Sequence, residues 1–216
     1  MSRQRIVTWD DARVTAKIEG DGPVGILLAH GAGTDQDHPM MTLLRSGLAA
    51  GGHTVMTFNY PYTERGAKRP DRQDRLLECH RAAADSLAAD TDTLFMAGRS
   101  MGGRMGTYLA AEGYPTAGLV LYAYPLHPAG KPDKLRVGQF ADILAPMLFF
   151  QGTRDPLSRM DLFDANIAVL RNAQVEILDG AGHGPRGGGW NLETMTERYV
   201  GVTLDWIEAS SSGRSG

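Results

Sequence analysis

Six short apolar runs, at residues 26–29, 55–59, 94–97, 119–122, 147–150 and 175–178, recur along the chain with longer stretches of helical periodicity between them. Short β-rich runs of this kind predict strands, and their alternation with helices predicts a parallel sheet built from right-handed βαβ units and covered on both faces. The helical stretches are 41–50, with Leu44 and Leu48 on one face, and 71–89, with Leu76, His80, Ala83 and Leu87 at helical spacing. Three more are expected at 103–112, 161–170 and 192–207, the last placing Met195, Tyr199, Val202 and Trp206 on one core-facing stripe. Ahead of the parallel set, residues 6–9 and 14–18 alternate apolar and polar around an Asp-Asp turn, the pattern of half-exposed antiparallel edge strands. The fold class predicted is α/β: a mostly parallel sheet with helices on both faces and N-terminal antiparallel edge strands.

With 216 residues, 42% hydrophobic and 22% charged, the chain is long enough for one well-buried core. One domain over residues 1–209 is expected, with 210–216 as a flexible tail and no insertion large enough for a cap domain. A net charge of −3 provides no long-range positive field, so nucleic acid is not the expected partner. No apolar run reaches the length of a signal sequence or a membrane span, which leads to the expectation of a cytoplasmic protein without a membrane partner. The single cysteine, Cys79, falls at a helical position among leucines and alanines and reads as a packing residue. No Cys and His spacing resembles a zinc site, and neither metal nor cofactor is expected.

The candidate chemistry lies at strand ends. Gly98-Arg99-Ser100-Met101-Gly102 follows the buried run 93–97 and precedes a helical stretch, which is the strand, sharp turn and helix of a nucleophile elbow. Ser100 sits at the bend, and the flanking glycines allow strand and helix to approach closely. Asp155 follows the run 147–150, and His183 follows 175–178 in a glycine-rich loop. In an open parallel sheet these ends converge on one edge. A serine hydroxyl needs a base to take its proton, which points to His183; a carboxylate at Asp155 would fix the imidazole tautomer. The oxyanion formed on attack needs preset N–H donors. Met101 supplies one, and the His30-Gly31-Ala32-Gly33 loop after the first central strand supplies the other, with Ala32 preferred over Gly31 or Gly33. His30 is expected to shape that loop, Asp37-His38-Pro39 to start a helix, and His53, His80 and His127 to be structural or solvent-facing.

The phrases Ala29-His30-Gly31-Ala32-Gly33, Phe58-Asn59-Tyr60-Pro61-Tyr62, Arg99-Ser100-Met101-Gly102-Gly103-Arg104, Tyr124-Pro125-Leu126-His127-Pro128, Gln151-Gly152-Thr153-Arg154-Asp155-Pro156 and Gly180-Ala181-Gly182-His183 carry a family resemblance. The chain resembles the α/β-hydrolase superfamily over essentially its whole length. More narrowly it is similar to a branch of small bacterial hydrolases, a testis-expressed vertebrate protein and a subunit of the chromatin NSL acetyltransferase complex. Dienelactone hydrolase-like enzymes are more distant. The resemblance implies the triad Ser100, Asp155 and His183 and no particular substrate. Two departures stand out: the nucleophile is serine where dienelactone hydrolases have cysteine, and Gly184-Pro185-Arg186 leads into Gly187-Gly188-Gly189 where relatives carry a more basic segment.

Basic residues cluster after two strand ends and around the elbow. Arg65, Arg69, Arg99 and Lys131 are expected to orient an anionic substrate, within a group that also holds Lys68, Arg72, Arg104, Lys134 and Arg136. The leading expectation is a serine hydrolase cleaving a small acyl substrate, an ester or thioester, through an acyl-enzyme on Ser100, acting as monomer or dimer. The alternatives are a non-catalytic interaction module on the same fold and an acyltransferase using the same site.

Overall fold

A computed structural model describes residues 2–212. Eight strands, β1 (Arg3–Trp9), β2 (Ala12–Glu19), β3 (Val24–Ala29), β4 (Thr54–Phe58), β5 (Thr93–Arg99), β6 (Gly118–Tyr122), β7 (Met147–Gly152) and β8 (Ala173–Leu178), form one sheet in the order β1-β2-β4-β3-β5-β6-β7-β8. Strands β3 to β8 are mutually parallel, and β1 and β2 add an antiparallel edge to β4. Burial is deepest in the middle of the sheet, where β4, β6 and β7 are buried at every position, while the edge strand β8 buries only Leu178. β2 instead buries alternate residues Val14, Ala16 and Ile18, as a sheet with one solvated face requires.

Six helices cover the sheet: α1 (Pro39–Ala50), α2 (Pro61–Glu64), α3 (Gln73–Ala88), α4 (Met101–Ala111), α5 (Met160–Asn166) and α6 (Leu192–Ser212). On one face α1 and α6 bury Leu44, Leu48, Met195, Tyr199 and Trp206 against the sheet. On the other, α3, α4 and α5 bury Leu76, Leu87, Met105, Leu109 and Phe163. The chain leaves β3 toward β4 on one side and returns to β5 on the other, so the crossovers diverge between β3 and β5. That switch point opens a crevice at the carboxyl ends of these two strands.

The helical segments differ from expectation in several places. α5 stops at Asn166, short of residue 170: the Ile167 and Ala168 N–H groups both turn to the Phe163 carbonyl (2.8 and 3.4 Å), and Ile167 leaves helical geometry at φ −110°. α6 runs past residue 209 to Ser212, so the expected tail begins inside a helix; 213–216 lie outside the described residues. The loop beginning at Pro61 opens with the short helix α2, and a 3₁₀ turn at Gly138–Asp142 was not expected. α1 starts at Pro39 with the ring of His38 accepting from the Met40 N–H, as the Asp-His-Pro phrase predicts.

Candidate active site

Ser100 is the bend between β5 and α4, with φ 52° and ψ −114°. A left-handed non-glycine residue costs about 1–2 kcal/mol, so its surroundings must hold it there. Its N–H donates to the Tyr122 carbonyl of β6 (2.9 Å), and its carbonyl accepts from the Arg104 N–H (3.1 Å). The two glycines of the elbow provide the room. A Cβ on Gly98 would lie 2.4 Å from the Gly103 nitrogen, and one on Gly102 would lie 2.4 Å from the Ala29 carbonyl oxygen. β5, α4 and the end of β3 are packed backbone to backbone.

Asp155 stands in the turn after β7. Its side chain is completely buried, and both carboxylate oxygens are used: Oδ1 accepts from the Leu157 N–H and Oδ2 from His183 Nδ1, each at 2.8 Å. His183 then presents Nε2 to Ser100 Oγ at 2.9 Å. With Nδ1 donating to the carboxylate, Nε2 carries the lone pair and Ser100 donates to it. The three side chains singled out from the sequence therefore meet in one hydrogen-bonded line at three strand ends.

Neighbouring backbone holds His183 in place. Arg154 N–H donates to the Ala181 carbonyl (2.9 Å), Gly180 N–H to Thr153 Oγ1 (2.7 Å), and Trp190 Nε1 to the Asp179 carbonyl (2.9 Å). The glycine run 187–189 folds back on this loop with φ of 89°, 61° and 82°; a Cβ on Gly188 would lie 2.5 Å from the Asp179 oxygen. The run tightens the loop beneath His183 and does not line the cleft.

On the other side of Ser100, the Gly31 carbonyl accepts from His30 Nδ1 (2.8 Å), Thr34 Oγ1 (2.9 Å) and Tyr62 Oη (3.4 Å). Every peptide bond here is trans, so the Ala32 N–H points away from those donors. His30 is fully buried, accepts the Tyr60 N–H at Nε2 (3.3 Å), and has its pKa pushed down to about 4 by burial. It shapes the loop as a neutral ring. Beneath it, Tyr60 Oη and His80 Nδ1 are 2.9 Å apart, and burial lowers the His80 pKa to about 3. His127 is also structural, accepting the Arg159 N–H at Nε2 and donating from Nδ1 to the Pro128 carbonyl.

Ser100 opens into a cleft of about 330 Å³ bounded by Ala32, Met101, Leu76, Pro125 and Leu157. Its charged wall corrects the sequence expectation. Arg65, Arg69, Arg99 and Lys131 do not line it. Arg65 is ion-paired to Asp71 Oδ1 (2.5 Å), while Arg69 and Lys131 point into solvent. Arg99 lies behind the site, where its Nη2 donates to the His183 carbonyl (2.8 Å). The guanidiniums on the wall are Arg104 and Arg136, joined by Asp71 and Gln73. Arg104 was legible as a candidate, since it lies four residues after Ser100 and hence on the same helix face. Arg136 sits in a loop whose course carries no periodic signal.

Among the described residues no cluster of three or more His, Cys, Asp or Glu side chains could hold a metal ion, and no helix is long and apolar enough to cross a membrane. The chain is similar in fold to a serine hydrolase without lid from Xanthomonas campestris (TM-score 0.72, 20% identity, 95% of this chain and 94% of that one). It is also similar to Est1E from Butyrivibrio proteoclasticus (TM-score 0.73, 15% identity, 95% and 99%) and to an alpha-beta serine hydrolase homologue from Coxiella burnetii (TM-score 0.71, 18% identity, 92% and 95%). A family profile described as an alpha/beta hydrolase domain matches residues 23–199, more than three quarters of the sequence, and the chain therefore belongs to the alpha/beta hydrolase family.

Proposed function

We propose that this protein is a serine hydrolase that cleaves a small ester or thioester through an acyl-enzyme on Ser100. The observation that carries the reading is the unbroken line from Asp155 Oδ2 through His183 to Ser100 Oγ, with spacings of 2.8 and 2.9 Å. Family membership supports hydrolysis as the reaction class.

In this reading Ser100 Oγ attacks the acyl carbonyl carbon while its proton passes to His183 Nε2. Asp155 holds the Nδ1–H tautomer and stabilises the imidazolium. The carbonyl oxygen becomes an oxyanion and takes hydrogen bonds from Met101, the first N–H of α4, and from Ala32, whose N–H is turned away from the donors that hold the Gly31 carbonyl. Collapse expels the alcohol or thiol, which leaves with the proton from His183. A water molecule then gives its proton to His183 and attacks the acyl carbon; the acid departs and Ser100 regains its hydrogen. The size of the cleft, at the low end for ligand sites, favours short acyl groups. The quoted sequence phrases further support placement with the testis-expressed and chromatin-complex branch.

A fluorophosphonate probe tests the proposal. Wild type is expected to be labelled stoichiometrically and Ser100→Ala not at all; an unlabelled wild type would remove the reading.

A further inference from the structure

We propose that the cleft beside Ser100 selects acyl substrates bearing a second, free carboxylate, which Arg104 and Arg136 bind together; the assignment rests on the hydrolase reading above and names its substrate class.

Among the described residues eight arginines have carboxylate partners; Arg104 and Arg136 belong to the nine that have none, and of those nine they are the two that line the cleft, with Arg136 Nη1 making only a 3.5 Å contact to the Pro125 carbonyl. Both face the same small cavity as the serine. Arg104 Nε is buried without a hydrogen-bond partner in the protein, and its guanidinium lies 6.0 Å from the Tyr108 ring centre. Arg136 is half-buried; desolvation, followed by the nearby Arg104 charge, lowers its pKa from the usual arginine value. Two like charges brought together out of water are unfavourable until an anion joins them. The third charged wall residue, Asp71, already has Oδ1 engaged by Arg65, so the wall carries an excess of positive charge.

The backbone presents the pair in advance. Arg104 is fixed one turn into α4. Arg136 is clamped through its N–H to the Leu126 carbonyl (2.8 Å) and through its carbonyl, which accepts from Tyr124 Oη (2.8 Å). Gln139 Nε2 braces that tyrosine at 2.7 Å and reaches Thr107 Oγ1 of α4 at 3.0 Å, linking the Arg136 loop to the Arg104 helix. Fixed backbones reduce the ordering cost of a two-pronged carboxylate contact. Leu76, Pro125 and Leu157 leave apolar surface for the methylenes between the two ends of the acyl group. A half-ester or half-thioester of a short dicarboxylic acid fits these demands.

The test compares monomethyl adipate with methyl hexanoate, esters of equal acyl length ending in a carboxylate or a methyl group. Wild type is expected to favour the adipate ester about tenfold or more in kcat/KM, mainly through KM. Arg104→Gln and Arg136→Gln are each expected to lower kcat/KM for the adipate ester about tenfold more than for the hexanoate ester, as loss of a charge-assisted hydrogen bond implies. The neutral ester, assayed on the same preparation, controls for folding. Equal losses on both esters, or no preference in wild type, overturn the proposal and leave hydrolysis standing. If wild type cleaves neither ester and takes up no fluorophosphonate, the hydrolase reading fails instead. Calorimetry of adipate with Ser100→Ala then still decides the anion site: binding weakened about tenfold or more by adding Arg136→Gln supports it, and binding that is absent or indifferent to that change overturns it.

Discussion

Two glycines four residues apart on α4 should respond oppositely to the same substitution. Alanine in place of glycine in a helix interior gains about 0.5–1 kcal/mol. At Gly106 the new methyl would meet Leu119 Cδ2 at 3.6 Å, Met96 Cβ at 3.7 Å and His80 Cε1 at 3.9 Å, which is ordinary contact. Burying that methyl adds about 0.8 kcal/mol, for a total of about 1–2 kcal/mol. In a domain of this size the gain corresponds to a Tm about 2–8 °C higher. At Gly102 the same methyl would lie 2.4 Å from the Ala29 oxygen, 2.6 Å from its carbon and 2.7 Å from the His30 oxygen. All three are backbone atoms at the end of a central strand, and a rotamer change cannot relieve the overlap. α4 must move away from β3, at a cost of about 1–3 kcal/mol or more that outweighs the intrinsic gain. Gly102→Ala is therefore expected to lower Tm. The same movement shifts the Met101 N–H against the Ala32 loop, and a misplacement of about 1 Å is worth about a hundredfold in rate. Thermal unfolding followed by circular dichroism, with esterase rates on each variant, gives the comparison. A destabilised Gly106→Ala, or a Gly102→Ala with wild-type Tm and rate, would refute the packing argument.

Asp155→Asn keeps an oxygen for the Leu157 N–H but offers an N–H to His183, which forces the proton onto Nε2 and removes the base; kcat should fall about 10⁴-fold with far-UV circular dichroism unchanged. A rate within tenfold of wild type would contradict this assignment. His30 and His80 are buried with pKa values held to about 4 and about 3, below the unfolded value of 6.5. The unfolded chain thus binds more protons, and the stability these neutral rings contribute is complete above pH 6.5 and lost as pH falls toward 4, by about 1.4 kcal/mol per pH unit for each ring. Urea midpoints between pH 7 and 5 report this slope, and His80→Gln should reduce it; an identical slope in that variant would count against it. The Cys79 thiol is buried and its pKa is raised by desolvation, so native protein at pH 8 should resist an aromatic disulfide reagent that reacts fully in urea. Stoichiometric modification of the native protein would refute it.

Most strands were legible because a predominantly apolar run, or an alternation, reflects whether one or both faces of a strand are covered, and that is a local property; the mixed run of the edge strand β8, which buries only Leu178, carries the signal least clearly. The elbow glycines, Asp155 and His183 were legible for a related reason: in a parallel sheet, following a strand in sequence already means standing at its carboxyl edge in space. Helix ends were less so, as at Asn166, where the following N–H groups converge on the Phe163 carbonyl and α5 ends before the apolar period does.

The charged loops show where local pattern stops. Arg65, Arg69, Arg99 and Lys131 looked equivalent to Arg104 and Arg136 by residue type and by nearness to strand ends. Whether such a side chain meets the cleft, an acid, a carbonyl or water depends on which groups the folded chain sets beside it, near in sequence or far. Asp71 lies six residues from Arg65 and neutralises it, the His183 carbonyl lies 84 residues from Arg99 and captures it, and the Tyr124–Gln139–Thr107 chain of hydrogen bonds braces Arg136 in place. Periodicity and chain order alone determined the architecture and the three residues that meet at the candidate site, because burial pattern and strand polarity are written along the backbone. Only the tertiary structure decided which positive charges stay unpaired at the cleft, because pairing depends on distances between segments that no local sequence pattern encodes.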